Sequence, residues 1–189
     1  MTTPPQQPNL LDTLKAFLRA LQADSPPYCL IGALALGAWG RARATDDLDF
    51  LMAINDDVVD NMLRVLEPHG FTVDTRWADQ NPLLKGQVMR LRHTVYPVDL
   101  ISPRDAHDRE ALVRRVYVSL GDLSVWVTSA EDLILLKLKA SRDYDFGDAR
   151  SVVGRQRDTL DLDYLWSWAD RLGLQGELHY VLQAAGPRS

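Results

Sequence analysis

The segment Asp47-Leu48-Asp49-Phe50-Leu51-Met52 constrains this chain most. Leu48, Phe50 and Met52 alternate with Asp47 and Asp49, the period of a half-buried strand over 47–54. Side chains two apart on a strand point the same way, so both carboxylates share a face while Leu48 and Phe50 enter a core. Two neighbouring carboxylates repel unless a proton or a cation lies between them. A third acid, Asp99, interrupts the apolar run Val95 to Ile101, where a lone carboxylate is expensive to bury without a partner. Magnesium is a natural counter-ion for such a set, because it takes hard oxygen ligands and binds substrate phosphates. Three carboxylates on neighbouring strands would allow two cations and in-line phosphoryl chemistry. The plainer alternative stands beside this: Asp47 ends a loop and Asp49 faces water.

The rest of the chain supplies a setting for these acids. Apolar residues at Leu11, Leu14, Phe17, Leu18 and Leu21 predict an amphipathic helix over 10–23, stopped by Asp24-Ser25-Pro26-Pro27. Tyr28 to Ile31 reads as a buried strand carrying the single cysteine, Cys29, as an inert thiol. Gly32 ends it, and a helix-compatible run over 33–39 follows. Helices are expected near 57–69, 148–157, 162–172 and 177–184, and a polar helix or turn over 104–114. Strands are expected over 71–76, 86–93, 96–101 and, last, 123–127. Ser129 begins a further helix, with Asp132 as the acidic partner three residues on. Mixed strands and helices followed by helices alone predict an α/β (α+β) fold: a small mixed twisted sheet flanked by helices over 9–128, and a helical C-terminal part over 129–184 packed on it as one compact unit. Trp166 and Trp168 are expected to pack. The four histidines have no metal-ligand spacing.

Composition narrows the class. In 189 residues, 46 % apolar and 25 % charged, disorder is disfavoured and no apolar run is long enough to span a bilayer. Met1 to Pro8 lacks the basic start and apolar middle of a signal peptide, so a cytoplasmic protein without a membrane partner is expected. The net charge of −5 argues against a dedicated nucleic-acid-coating domain.

A turn at Gly32 into a helix starting near Ala33 would offer backbone N–H groups to an anion. Arg41, Arg43 and Thr45 lie on the loop leading to the acidic strand, where they can contact polyphosphate or remain solvated. Lys137 sits in a nearly all-apolar helix and must snorkel or meet an anion. Asp145 reads equally as a helix N-cap, with Asp148 in the first turn, or as a site residue.

Two segments together resemble the polymerase-beta-like nucleotidyltransferase superfamily. The first is Leu30-Ile31-Gly32-Ala33-Leu34-Ala35 with Gly40-Arg41, Thr45 and Asp47-Leu48-Asp49-Phe50-Leu51. The second is Glu131-Asp132-Leu133-Ile134-Leu135-Leu136-Lys137-Leu138-Lys139-Ala140 with Arg142, Asp145 and Asp148. The closest likeness is to the AbiEii-type toxins of type IV toxin–antitoxin systems and covers about 28–172. The resemblance implies a nucleotidyltransferase fold and transfer of a nucleoside monophosphate from a nucleoside triphosphate to an acceptor hydroxyl on an RNA end, a protein or a small molecule. It implies Mg2+ or Mn2+ held by Asp47, Asp49 and Asp99, the last also helping to deprotonate the acceptor. It implies nucleotide contacts from Gly32, Ala33, Arg41, Arg43, Thr45 and Lys137, and for a toxin an antitoxin protein as partner. Ala33 departs from the serine of many active members, which removes one phosphate contact. A catalytically silent fold that binds nucleotide or a partner protein is the alternative.

Overall fold

The computed structural model describes residues 9–21, 25–54 and 56–185, with only the backbone at 56 and 57. The expected loose ends 1–8 and 186–189, and Asp24 of the first helix stop, lie outside these residues. Helix α1 (Leu10–Ala20) starts on Asn9, whose side chain accepts from the Asp12 N–H while the Asp12 carboxylate accepts from the Asn9 N–H. This reciprocal pair satisfies two helix-start donors. Strand β1 (Tyr28–Leu30) leads into α2 (Gly32–Trp39), and β2 (Leu48–Met52) leads into α3 (Asp56–Leu66).

Next come β3 (Thr72–Val73), α4 (Thr75–Gln80), β4 (Val88–His93), β5 (Tyr96–Ile101) and α5 (Ala106–Val113). The strand expected over 71–76 is therefore only two residues long. Asp74 ends it by accepting from the Trp77 N–H and capping α4, a local side-chain effect that overrides the β-like pattern. Strand β6 (Val116–Leu120) escaped the sequence reading; Gly121-Asp122 folds it back on β7 (Leu123–Val127) as a two-residue hairpin. Helices α6 (Ala130–Ala140), α7 (Asp143–Gln156), α8 (Leu162–Leu172) and α9 (Gln175–Ala184) complete the chain. Ser129 caps α6 as expected, accepting from the Asp132 N–H. Helix α7 starts five residues before the expected 148. Its N-cap is Arg142, and Asp145 is the third helical residue rather than the cap.

The strands form one mixed seven-stranded sheet in the order β3-β4-β5-β2-β1-β7-β6. The β2–β5 and β1–β7 pairs are parallel; the others are antiparallel. Leu48, Phe50 and Met52 face a large core shared with α1, α6, α7, α8 and α9, in which Phe17 stacks on Phe50 at 4.5 Å. On the opposite face a small cluster of Cys29, Leu51, Ala111 and Leu112 lies under α5. Burial pushes the Cys29 thiol up to about 12, so it is an inert thiol at neutral pH. Trp168 packs edge-on against His107 at 5.2 Å, whereas Trp166 is exposed. Among the described residues no helix is long and apolar enough to cross a membrane.

Candidate active site

Register builds the site. In the parallel β2–β5 pair Asp49 lies opposite Asp99, and in the antiparallel β4–β5 pair Asp99 lies opposite Arg90. Directly paired residues share a face, so Arg90, Asp99 and Asp49 form one row across three strands. They occupy the face that carries Leu51 and Ile101 two residues further on, beyond the cover of α5. Asp47, just before β2, accepts from the Thr45 hydroxyl. On the far side of Asp49, the Ile31 N–H donates to the Asp49 carbonyl oxygen at 2.9 Å, which brings the start of α2 alongside.

Gly32 is required here for two reasons. Its φ of +67° lies in the left-handed region. A Cβ on it would also sit 2.9 Å from the Asp49 Cγ and closer still to Oδ2. The Asp49 carboxyl group thus packs against bare backbone at the helix start. We expect Gly32→Ala to destabilise the protein by more than about 1 kcal/mol and to displace Asp49. A thermal melt and a Mn2+ titration read the two effects separately; unchanged values in both would refute the role given to this glycine.

These residues open on a cleft of about 830 Å3. Gly32, Ala33, Asp47 and Asp49 line it, with Arg43 and Thr45 from the loop before β2, Lys137 from α6, Arg142 and Tyr144 from the start of α7, and Arg90, Tyr96 and Pro97 from β4 and β5. Burial, then the charges of Asp47 and Asp99, push the Asp49 carboxyl from 3.8 up to about 6, against the pull of Lys137 and Arg142. That is what a buried carboxyl beside two other acids shows.

Asp99 stands in the row but not on the cleft wall. The Arg90 guanidinium covers it, donating from Nε to Oδ1 at 2.6 Å and from an Nη to Oδ2 at 2.5 Å. The same guanidinium lies over the Trp77 ring at 4.5 Å. The expected convergence of three open carboxylates is therefore met by two, with the third closed by an arginine from the neighbouring strand. Arg90 falls within the strand expected over 86–93, but its pairing depends on register.

Lys137 borders the cleft, yet its amine is buried and already bound. It donates to Asp145 Oδ1 at 3.0 Å and to Asp148 Oδ2 at 2.8 Å. Arg142 also donates to Asp145, and Arg43 to Asp148 at 3.3 Å. The lysine meets an anion as expected, and the anions it meets are the acids of α7. Arg43 and Arg142 both lie over the Tyr144 ring, at 5.2 and 4.7 Å. Arg41 is exposed, does not line the cleft, and is tied by its backbone N–H to Ser151 Oγ at 3.1 Å. Among the cleft residues not picked out as site residues from sequence are Arg90, Tyr96, Arg142 and Tyr144.

Asp47 and Asp49 suit a divalent cation: both offer hard oxygen donors to the cleft, and a cation would offset both the burial and the repulsion that raise the Asp49 pKa. In the arrangement described, Asp99 has both oxygens engaged by Arg90. A second acidic grouping, Asp105, His107 and Asp108, has its ligand atoms within 4.8 Å of one another. Lys139 already bridges its carboxylates at 2.7 and 2.5 Å, and Asp105 caps α5. That cluster is charge-balanced architecture.

No protein-family model matches the chain, and no curated protein matches it in sequence. Among solved structures, the solution structure of the antibiotic-resistance factor ANT(2'')-Ia matches with a TM-score of 0.58 at 12 % identity, over 88 % of this chain and 95 % of that one. The crystal structure of JHP933 from Helicobacter pylori matches with a TM-score of 0.42 at 16 % identity, over 91 % and 90 % of the two chains, too distant to carry an argument. With its mixed seven-stranded sheet and flanking helices, the chain has the nucleotidyltransferase fold.

Proposed function

We propose that this chain is a divalent-cation-dependent nucleotidyltransferase that transfers a nucleoside monophosphate from a nucleoside triphosphate to an acceptor hydroxyl. The observation that carries the reading is the pair Asp47 and Asp49 lining a large cleft, with Asp49 packed against the bare backbone of Gly32 at the start of α2. Mg2+ or Mn2+, held by Asp47 and Asp49, would supply charge neutralisation at the reacting phosphate. Arg43 and Arg142 give the cleft side next to α2 the positive charge to hold a polyphosphate, with Thr45 ordering Asp47. Tyr144, half-exposed between two guanidinium groups, offers a flat face beside them. The acceptor oxygen bonds to the α-phosphorus, the bond from that phosphorus to the bridging oxygen breaks, and pyrophosphate leaves. Asp99, beside Asp49 on β5, is the carboxylate that would take the acceptor proton once Arg90 leaves it.

The finer assignment, an AbiEii-type toxin acting in the cytoplasm with an antitoxin protein as partner, rests on the two sequence segments quoted above. Two observations favour the rival reading of a silent fold that binds nucleotide without transfer: Asp99 is closed by Arg90, and Ala33 lacks a hydroxyl. Calorimetric titration with each triphosphate in the presence of Mg2+, followed by incubation of α-labelled triphosphate with cell extract, tests both. Saturable Mg2+-dependent binding and label in an acceptor fraction are expected. Binding without transfer selects the silent fold; no binding of any triphosphate overturns both.

A further inference from the structure

Four positions lie in sequence across the sheet: Arg90 on β4, Asp99 on β5, Asp49 on β2, and Gly32 just past β1. At about 4.8 Å per strand, Arg90 is roughly 14 Å from Gly32. Both carboxylates stand between them. An anion beside Arg90 is thus a different group from a phosphate cradled near Gly32, Arg43 and Arg142. Arg90 lines the cleft with its side chain 23 % exposed, so the guanidinium can be reached from it. The end of the turn and the start of β5 add Val95, Tyr96 and Pro97 to the cleft lining.

Resting on the nucleotidyltransferase reading, we propose that Arg90 recognises the acceptor. It selects one that carries a phosphate or a carboxylate near its hydroxyl, and engaging that anion releases Asp99. Arginine forms the same two-pronged pair with phosphate as with carboxylate, so the guanidinium exchanges one bidentate partner for another, and the divalent cation held at Asp49 would offset the charge this leaves on Asp99. Trp77, stacked on its face at 4.5 Å, holds the guanidinium as it changes partner. Asp99, 8 % exposed, is then a bare carboxylate beside Asp49. It takes the proton of the acceptor hydroxyl as the new oxygen–phosphorus bond forms and pyrophosphate departs. A molecule with a hydroxyl but no anion leaves the Arg90–Asp99 pair closed and is not used. The device makes the third carboxylate available only when the correct acceptor is present.

Two measurements on the full chain test this. In the metal-free wild type, the Arg90 Nε–Hε resonance, identified by its loss in Arg90→Gln, is followed during titration with inorganic phosphate, with acetate, and with sodium chloride at matched ionic strength. A saturable shift with phosphate or acetate and none with chloride is expected, and the stronger of the two anions names the group on the acceptor. In parallel, Mn2+ binding by electron paramagnetic resonance should be about tenfold tighter in Arg90→Gln than in wild type, because an uncovered Asp99 joins the site. A resonance indifferent to both anions, or Mn2+ bound equally by wild type and variant, makes Arg90 a permanent neutraliser and overturns the proposal alone. Mn2+ bound by neither protein overturns the nucleotidyltransferase reading itself, and this proposal with it.

Discussion

Asp49→Asn is expected to abolish Mg2+-dependent triphosphate binding while raising the melting temperature of the metal-free protein at neutral pH. Most substitutions at a working carboxylate leave stability unchanged or lower it; here the sign is reversed. Asp49 is pushed from 3.8 to about 6 by burial and by Asp47 and Asp99, so the native state prefers the neutral acid more than the unfolded chain does. The native state therefore loses stability as pH rises from about 4 through about 6, and above that range ionised Asp49 costs up to about 3 kcal/mol. Asparagine keeps the size and removes the charge. The variant should melt several degrees higher than wild type at pH 7.5, with the difference shrinking toward pH 4. A series of melts across that range checks the sign. A lower melting temperature for the variant at pH 7.5 would make Asp49 a structural acid and leave the cation site without its central ligand.

Lys137→Ala is expected to have the larger effect on stability and the smaller one on chemistry. Its amine neutralises two acids at once: Asp145, fully buried, and Asp148, nearly so. Removing one partner from a buried ionic cluster leaves uncompensated charge and costs about 3–5 kcal/mol. Arg142 and Arg43 remain beside the two acids, which sets the expectation at the lower end. For a chain of this size that is a fall in melting temperature of roughly 10 °C. Adding Asp148→Asn to Lys137→Ala should restore part of the loss, because one of the two stranded charges is gone. If Lys137→Ala melts like wild type but loses triphosphate affinity, the amine serves the ligand and not α7.

Much of the architecture was legible because it follows from local pattern. Strand β5 is as its apolar run predicts, and Leu48, Phe50 and Met52 enter the core because a strand repeats every two residues. The Ser129 cap and the single buried cysteine were equally local. Where short-range side-chain bonding competed with pattern, the reading failed, as at Asp74, which turns an expected strand into the cap of α4. Strand β6 was missed, although only five residues and a two-residue turn separate its start from β7.

What sequence alone determined about this protein is the identity of its acids and the two-residue spacing that lets Asp47, at the end of the loop, and Asp49, on β2, reach the same cleft. The tertiary structure decided which charges they meet. Asp99 faces Asp49 because β5 runs parallel to β2, and it is closed because Arg90 lies opposite it on β4. Lys137 meets Asp145 and Asp148 because α7 folds back on α6. Gly32 is indispensable because β2 carries Asp49 to within contact of it. A carboxylate's free energy is set by the charges and solvent within a few ångströms, and those neighbours come from strand order and helix packing, which no local spacing encodes.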